Sequence, residues 1–251
     1  MGIWDDQVAA VTGSRGAIGA AIVTALTSLG AKAAGGDLGG AGDSDGIASL
    51  DVTRPASIET WLDGIEARLG PLSIGIVCAG ISRPGRLVET SDADWNDVVA
   101  VNLTGAYFTA RAMIQRMLAQ GRPGRIVFVG SWAAHAPHPH IGAYSATKAG
   151  VRALCQTLAL DHAADGILVN EVAPGIVNAG LSRELFRRDP ALEQRTRAAI
   201  PSGGVLEPAD VARDVVFLAS PDNRHTTGAC IVSDGGMSLA SRMNPGTRGQ
   251  R

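Results

Sequence analysis

The sequence of 251 residues has little cysteine, few aromatic side chains and no large excess of either charge. Its three cysteines are far apart and form no CxxC pair, which argues against a structural zinc site and against a disulfide framework. Aromatic residues make up 4% of the chain, and the formal net charge is −2. A base-stacking surface is therefore not expected, nor is attraction to nucleic acid or to an anionic membrane.

Long apolar runs and targeting signals are also missing. No stretch is continuously apolar over the roughly 20 residues that cross a bilayer. The opening segment, MGIWDDQVAAV, lacks the basic region of a secretory signal peptide, and Asp6 stands where N-myristoylation requires serine or threonine. The cysteines are expected to be reduced thiols. We therefore predict a cytoplasmic protein with no membrane partner.

Hydrophobic residues, by contrast, are abundant at 45% and follow a regular pattern. Short apolar runs such as QVAAVTG, LSIGIVCAG and RIVFVGS predict buried strands, and the segments between them have helical periodicity. This alternation predicts an α/β fold, a doubly wound parallel sheet of about seven strands with helices on both faces. We predict a single domain over residues 1–240, with a polar helical insertion at 178–206 and a basic tail at 241–251.

A glycine-rich turn, TGSRGAIG at residues 12–19, separates the first predicted strand from the first helix. Glycines there allow the backbone to approach a pyrophosphate, which the free N–H groups at the start of the helix can bind. Asp37 ends the second predicted strand, eighteen residues after Gly19. A carboxylate at that place can accept hydrogen bonds from ribose hydroxyls and repels a 2′-phosphate. The turn and the aspartate together predict a dinucleotide site.

A tyrosine and a lysine stand four residues apart in the segment YSATK, as Tyr144 and Lys148. At this spacing they share one face of the predicted helix. A tyrosine can exchange a proton with a hydroxyl group when a nearby ammonium favours its ionised form. Ser131 follows an apolar strand thirteen residues before the tyrosine and could orient a substrate oxygen. These groups suit hydride transfer to or from a carbon that bears oxygen.

Together, TGSRGAIG, VNLTG, YSATK and APGIV resemble the classical short-chain dehydrogenases/reductases, and the resemblance runs from about residue 6 to 236. Ala17 replaces the middle glycine of the family's TGxxxGxG turn, and Cys78 replaces the asparagine of its NAG segment. The resemblance implies a Rossmann fold, a homotetramer, and hydride transfer between NAD(H) and a small secondary alcohol or ketone. It implies a catalytic tetrad of Asn102, Ser131, Tyr144 and Lys148.

The same resemblance implies which residues bind the dinucleotide. They are Gly13, Arg15, Gly16, Ile18, Gly19, Asp37, Leu38, Asp51, Val52, Ala79, Gly80, Tyr144, Lys148, Pro174, Gly175 and Ile176. Asp37 favours NAD, whereas Arg15 could contact the 2′-phosphate of NADP. We predict NAD, and an NADP-dependent carbonyl or 3-oxoacyl reductase is the alternative. A dinucleotide-binding protein without catalysis is a third, weaker interpretation, because such relatives usually lack the tyrosine or the lysine.

Three of the five histidines fall in HAPHPH, residues 135–140, between the serine and the tyrosine. Two prolines impose an extended path there, and no acidic residue or cysteine is near in sequence, so we predict no metal site. In the family this loop lines the substrate pocket, and the insertion at 178–206 would form its lid. The predicted substrate-binding residues are Ser131, Trp132, His135, Tyr144 and Leu181.

Overall fold

The computed structural model describes residues 2–39 and 47–243. Within them, seven strands form one sheet: β1 (Val8–Thr12), β2 (Lys32–Asp37), β3 (Ile47–Ser49), β4 (Ile74–Val77), β5 (Gly124–Val129), β6 (Ile167–Pro174) and β7 (Cys230–Ser233). Their order is β3-β2-β1-β4-β5-β6-β7, and all neighbouring strands are parallel. The chain therefore winds outward from β1 in both directions, which confirms the predicted doubly wound sheet.

Helices cover both faces of this sheet. They are α1 (Ala17–Ser28), α2 (Pro55–Leu69), α3 (Asp92–Val99), α4 (Ala106–Ala119), α5 (Gly142–His162), α6 (Gly180–Arg188), α7 (Pro190–Ala199), α8 (Pro208–Ala219) and α9 (Met237–Met243). Successive strand residues point to opposite faces, so the sheet carries two apolar cores. One core includes Ile58, Met113 and Val151 from α2, α4 and α5, and the other includes Ile22 and Val215 from α1 and α8.

The helical stretch from residue 92 to 119 is interrupted by a wider turn. Ser91 caps α3, because its hydroxyl accepts a hydrogen bond from the Asp94 backbone N–H at 3.1 Å. A π-helical turn, Ala100–Gly105, then separates α3 from α4. Such turns are rare within α-helices and often occur at functional sites. This one contains Asn102, a member of the predicted tetrad.

The insertion at 178–206 is helical, as predicted, and consists of α6 and α7. Two backbone hydrogen bonds join the chain at the two ends of the insertion. The Asn178 N–H donates to the Leu206 carbonyl (2.7 Å), and the Leu206 N–H donates to the Ile176 carbonyl (2.9 Å). Phe186 is buried on α6. The Leu181 side chain, predicted to bind substrate, and residues 244–251 of the predicted tail lie outside the described part of the protein.

None of the helices within residues 2–39 and 47–243 combines the length and the apolar character that crossing a bilayer requires.

Candidate active site

The predicted site residues gather at the carboxyl ends of the strands. The glycine turn follows β1, Ala79 and Gly80 follow β4, and Ser131 follows β5. Strand order reverses at β1, which has β2 on one side and β4 on the other. In open parallel sheets, ligands bind in the crevice at such a switch point. The predicted dinucleotide-binding residues therefore lie at the edge of the sheet where folds of this topology bind ligands.

The glycine turn is tightly packed against the loop after β4. Gly13 has φ +72°, and a Cβ there would lie 2.9 Å from the Ala79 backbone. A Cβ on Gly19 would overlap the Gly13 carbonyl oxygen. Thr12 ties the turn to the same loop, because its hydroxyl accepts hydrogen bonds from the N–H groups of Cys78 (3.0 Å) and Ala79 (3.1 Å). This close backbone packing is what the glycines of a dinucleotide turn provide.

Asp37 is held at the end of β2 with its carboxylate beside the glycine turn. One oxygen accepts a hydrogen bond from the Arg15 backbone N–H at 2.9 Å, and the other accepts one from the Leu38 N–H at 2.7 Å. The Arg15 guanidinium donates to the Gly39 carbonyl at 2.6 Å. The structure thus brings the predicted cofactor-discriminating residues, Asp37 and Arg15, into one small region.

The other predicted cofactor residues lie around the same crevice. Asp51 accepts hydrogen bonds from the backbone N–H (2.9 Å) and hydroxyl (2.6 Å) of Thr53, while Val52 is buried against Gly105. Gly175 donates its N–H to the Ser233 carbonyl at 2.7 Å. Residues 174–176 lie at the carboxyl end of β6 and lead to the base of the insertion, and Ile18 packs on the α1 side of the sheet.

The catalytic lysine predicted from the sequence is buried. Lys148 is 5% exposed, and its ammonium donates a hydrogen bond to the Val129 carbonyl at 2.8 Å. Its Nζ atom is 5.6 Å from the ring centre of Tyr144 on the same face of α5. A Cβ placed on Gly80 would lie 3.4 Å from the Asn102 side-chain oxygen and 3.6 Å from Lys148 Nζ. Three of the four predicted tetrad residues therefore lie close together.

Asn102 links three parts of the site through its side chain. Its oxygen accepts a hydrogen bond from the Ile81 N–H at 2.8 Å, and its NH2 group donates to the Ile81 carbonyl (2.8 Å) and to the Thr147 hydroxyl (3.2 Å). These bonds connect the π-helical turn to the loop after β4 and to α5. The Asn102 side chain therefore anchors the π-helical turn to its neighbours. Any contact of Asn102 with a water molecule or a ligand would use its backbone.

Ser131 is 5% exposed at the end of β5. Its hydroxyl oxygen accepts a hydrogen bond from the Ala133 N–H at 3.2 Å and so caps the short 3₁₀ turn Trp132–Ala134. Because the oxygen acts as acceptor in this bond, the hydroxyl hydrogen remains available to donate to a substrate oxygen.

The three histidines of the loop have different surroundings. His138 packs its ring edge to face with Trp132, at 5.7 Å between ring centres, and the His140 carbonyl accepts a hydrogen bond from the Gly85 N–H at 2.8 Å. His135 instead turns inward, with its Nε2 atom 3.3 Å from Arg152 Nη1 and 3.5 Å from Cys230 Sγ. The structure thus does not gather these histidines around one point.

A family model described as Enoyl-(Acyl carrier protein) reductase matches residues 13–238 of the chain. The 3-oxoacyl-[acyl-carrier-protein] reductase FabG of Vibrio cholerae is 34% identical over 244 residues, which cover 93% of this chain and 98% of that protein. The chain belongs to the short-chain dehydrogenase/reductase family. This confirms the family resemblance of its motifs, and the protein is accordingly an oxidoreductase of that family.

Solved structures of other short-chain dehydrogenases/reductases agree with the fold. A putative 2-deoxy-D-gluconate 3-dehydrogenase from Agrobacterium tumefaciens, with bound NADP, has a TM-score of 0.82 and 30% identity, covering 93% of this chain and 96% of that one. The aldohexose dehydrogenase of Thermoplasma acidophilum has a TM-score of 0.88 and 28% identity, covering 94% and 95%. The predicted Rossmann fold is confirmed.

Two residues that depart from the family pattern, Ala17 and Cys78, occupy ordinary positions in the structure. Ala17 is the first residue of α1, with Gly16 as the N-cap, so the methyl group falls on an ordinary helical position. Cys78 donates its N–H to Thr12, a backbone bond that any residue there could make. Burial raises the pKa of the Cys78 thiol to about 11, which keeps it protonated at neutral pH. Neither replacement disturbs the turn.

Glu171 is a site-adjacent residue that the motifs do not indicate. It is 1% exposed on β6, and a Cβ on Gly130 would overlap its Oε1 atom. Burial raises the pKa of the Glu171 carboxyl, while the Cys230 thiol, the Arg152 guanidinium and the Lys148 ammonium oppose part of that rise. The one sequence signal is a charged residue inside the apolar run ILVNEVAPG.

Gly19→Ala is expected to weaken dinucleotide binding about five- to 100-fold, because the new methyl group must displace the Gly13 carbonyl oxygen. Overpacking of this kind costs about 1–3 kcal/mol, and about 1.4 kcal/mol corresponds to tenfold in affinity. Fluorescence titration with NADH and NADPH measures the effect. Gly64→Ala is the matched control, since nothing lies within 4 Å of a Cβ at that helical position. Equal affinities for the two variants would contradict the assignment of the turn.

Proposed function

We propose that this protein transfers a hydride between NAD(H) and a secondary alcohol or ketone through Asn102, Ser131, Tyr144 and Lys148. The observation that carries the proposal is the buried Lys148 ammonium, held at the Val129 carbonyl on the face of α5 that also bears Tyr144. A tyrosine and a lysine exposed together on a helix surface would not indicate catalysis. A lysine is seldom buried without a functional reason, which favours catalysis over a solvated pair.

The residues at the crevice fit a nicotinamide dinucleotide. The close packing at Gly13 and Gly19 leaves the start of α1 open to a pyrophosphate, and Asp37 stands at the end of β2 where a ribose would lie. When bound, the nicotinamide supplies or accepts the hydride. The protein supplies the groups that orient the substrate and move the proton.

The proton of the reacting hydroxyl passes through Tyr144. In the oxidative direction its phenolate oxygen takes the proton, and in the reductive direction its hydroxyl returns it. The Lys148 ammonium lies on the same face of α5, with its Nζ atom 5.6 Å from the centre of the Tyr144 ring. Ser131 donates its free hydroxyl hydrogen to the substrate oxygen and so orients it toward Tyr144, since the Ser131 oxygen is already occupied by the Ala133 N–H.

Lys148 and Asn102 supply the route by which that proton reaches solvent. Lys148 uses one ammonium hydrogen for the Val129 carbonyl, which leaves two for Tyr144 and for a water molecule. The backbone carbonyl of Asn102, within the π-helical turn, would hold that water, because the Asn102 side chain is committed to Ile81 and Thr147. Each residue of the tetrad therefore has a separate role in the proposed mechanism.

Asp37 favours NAD over NADP in this proposal. Both of its carboxylate oxygens accept backbone hydrogen bonds, so the charge is fixed in place and would repel a 2′-phosphate. NADP-dependent reduction of a 3-oxoacyl thioester is the second candidate. It is favoured by the exposed Arg15 in the turn, by the name of the Vibrio cholerae relative, and by the NADP bound to the Agrobacterium tumefaciens structure.

Asp37→Ala is expected to raise the Kd for NADH about 10- to 100-fold, because charge-assisted hydrogen bonds contribute about 1.5–3 kcal/mol. The Kd for NADPH should stay the same or fall. Competitive fluorescence titration measures both constants. Asp37→Asn keeps the shape but removes the charge, and Arg15→Ala tests the second candidate. An unchanged ratio of the two Kd values in Asp37→Ala, together with loss of NADPH binding in Arg15→Ala, would favour NADP.

The substrate is proposed to be a small molecule that enters beside Trp132 and His135, below the insertion formed by α6 and α7. A homotetramer is proposed from the family resemblance. It is supported by exposed apolar side chains on two long helices and on the last strand: Tyr107 on α4, Leu160 on α5 and Val232 on β7.

A further inference from the structure

Three donor atoms of different chemistry converge between the sheet and helix α5, beside the tetrad. A ring nitrogen of His135, a carboxylate oxygen of Glu171 and the sulfur of Cys230 all lie within 4.8 Å of one another. Glu171 and Cys230 are register partners on β6 and β7, so their side chains leave the sheet on the same face. His135 reaches them from the loop after β5.

Glu171 is the unusual member of this group. Its side chain is 1% exposed, and among the described residues neither carboxylate oxygen accepts a hydrogen bond from a nitrogen or oxygen donor, while the Cys230 thiol beside it is only a weak donor. The Arg152 guanidinium is 3.7 Å from Oε2, which is beyond hydrogen-bonding distance. A buried carboxylate without strong hydrogen bonds is costly, and such a group calls for an explanation such as a bound ion.

The distance between the nitrogen and sulfur donors matches a tetrahedral metal site. Zinc bonds imidazole nitrogen and thiolate sulfur at lengths that place the two atoms about 3.6 Å apart across a tetrahedral angle. In the structure, His135 Nε2 and Cys230 Sγ are 3.5 Å apart. Imidazole, thiolate and carboxylate are all zinc ligands, and three protein ligands leave a fourth position for water.

Without a metal, the Arg152 side chain lies beside His135 and Glu171. Its Nη1 atom is 3.3 Å from His135 Nε2. A guanidinium can only donate, so in this contact Nε2 is the acceptor and its lone pair is directed at Arg152. This is the form of histidine that binds a metal. The Arg152 side chain is 34% exposed and can withdraw toward solvent when another cation takes its place.

We propose that His135, Glu171 and Cys230 form a binding site for a thiophilic divalent cation, with Zn²⁺ as the best match. On binding, the Cys230 sulfur forms a bond to the metal and its proton passes to the solvent, while Arg152 gives up its contact with His135. The site uses one histidine of the HAPHPH segment, and its other two ligands come from distant strands. Because His135 is also proposed to border the substrate, the metal would sit beside the substrate entrance.

The test is metal binding by the full-length, tag-free protein after treatment with chelator. Equilibrium dialysis against Zn²⁺, followed by elemental analysis, should give one bound zinc per chain. Titration with Co²⁺ should give a thiolate-to-cobalt charge-transfer band in the near ultraviolet. Cys230→Ala should abolish this band, and His135→Ala or Glu171→Gln should weaken Zn²⁺ binding at least tenfold. Arg152→Gln should strengthen it, because a competing positive charge is removed.

Two variants control for adventitious binding. His138→Ala removes an exposed histidine of the same loop, and Cys155→Ala removes a buried cysteine of α5; both should keep the full stoichiometry and the cobalt band. Less than about 0.2 zinc per chain in the wild type would overturn the proposal. So would a cobalt band that survives in Cys230→Ala, or Zn²⁺ affinity unchanged in all three ligand variants. Circular dichroism on every variant separates lost ligands from lost folding.

Discussion

Tyr144→Phe is expected to lower kcat by at least about 10³-fold, within the range that general acid–base catalysis supplies. The substitution removes one oxygen atom, the atom through which the substrate proton passes. It leaves the ring, the α5 helix and the Lys148–Val129 hydrogen bond in place. NADH affinity, measured by fluorescence titration, should therefore change less than about threefold.

The chain has two tyrosines, which provides a matched control. Tyr107 is 39% exposed on α4 and packs beside Phe108, with Arg111 over its ring. Tyr107→Phe should retain the wild-type kcat. If Tyr144→Phe retained more than about a tenth of the wild-type rate, the proton would have to leave by another group, and the proposed mechanism would be wrong.

Lys148→Met is expected to lower kcat/KM by about 10²-fold or more, because it removes the ammonium group through which the Tyr144 proton reaches solvent in the proposed mechanism. Methionine has a similar length and apolar character, so it fills the buried space around the side chain. Initial rates measure kcat/KM, and circular dichroism shows whether the variant remains folded.

Lys32 is the other lysine in the sequence and stands exposed at the start of β2. Lys32→Met therefore removes the same charge from the surface, and its kcat/KM should match that of the wild type. A Lys148→Met variant with more than about a tenth of the wild-type kcat/KM would contradict the proposed role of Lys148.

Much of this site could be predicted from the sequence because its signals are local. The apolar run before Gly13 defines a strand, the following helix begins within four residues, and Asp37 closes the next strand. Tyr144 and Lys148 share a helix face because of their spacing alone. The insertion was predicted to be helical from its polar composition and periodicity, and the structure has α6 and α7 there.

Other features depend on contacts between residues that are distant in sequence. The π-helical turn at Ala100–Gly105 has no composition that separates it from an α-helix, so the segment from 92 to 119 resembles one continuous helix. The group of His135, Glu171 and Cys230 exists because β6 pairs with β7 and the loop after β5 folds over them. No spacing rule connects three residues that are brought together by the sheet.

The most direct test of the account is an isotope experiment with the purified enzyme. NADH deuterated at the nicotinamide C4 position is incubated with a panel of ketones, cyclic polyol precursors and 3-oxoacyl thioesters, and the products are analysed by mass spectrometry. We predict one deuterium on the carbinol carbon of at least one product, with the transfer abolished by Tyr144→Phe. An enzyme that binds NADH but transfers no deuterium to any carbonyl, or a Tyr144→Phe variant that transfers it as fast as the wild type, would contradict the proposed oxidoreductase mechanism.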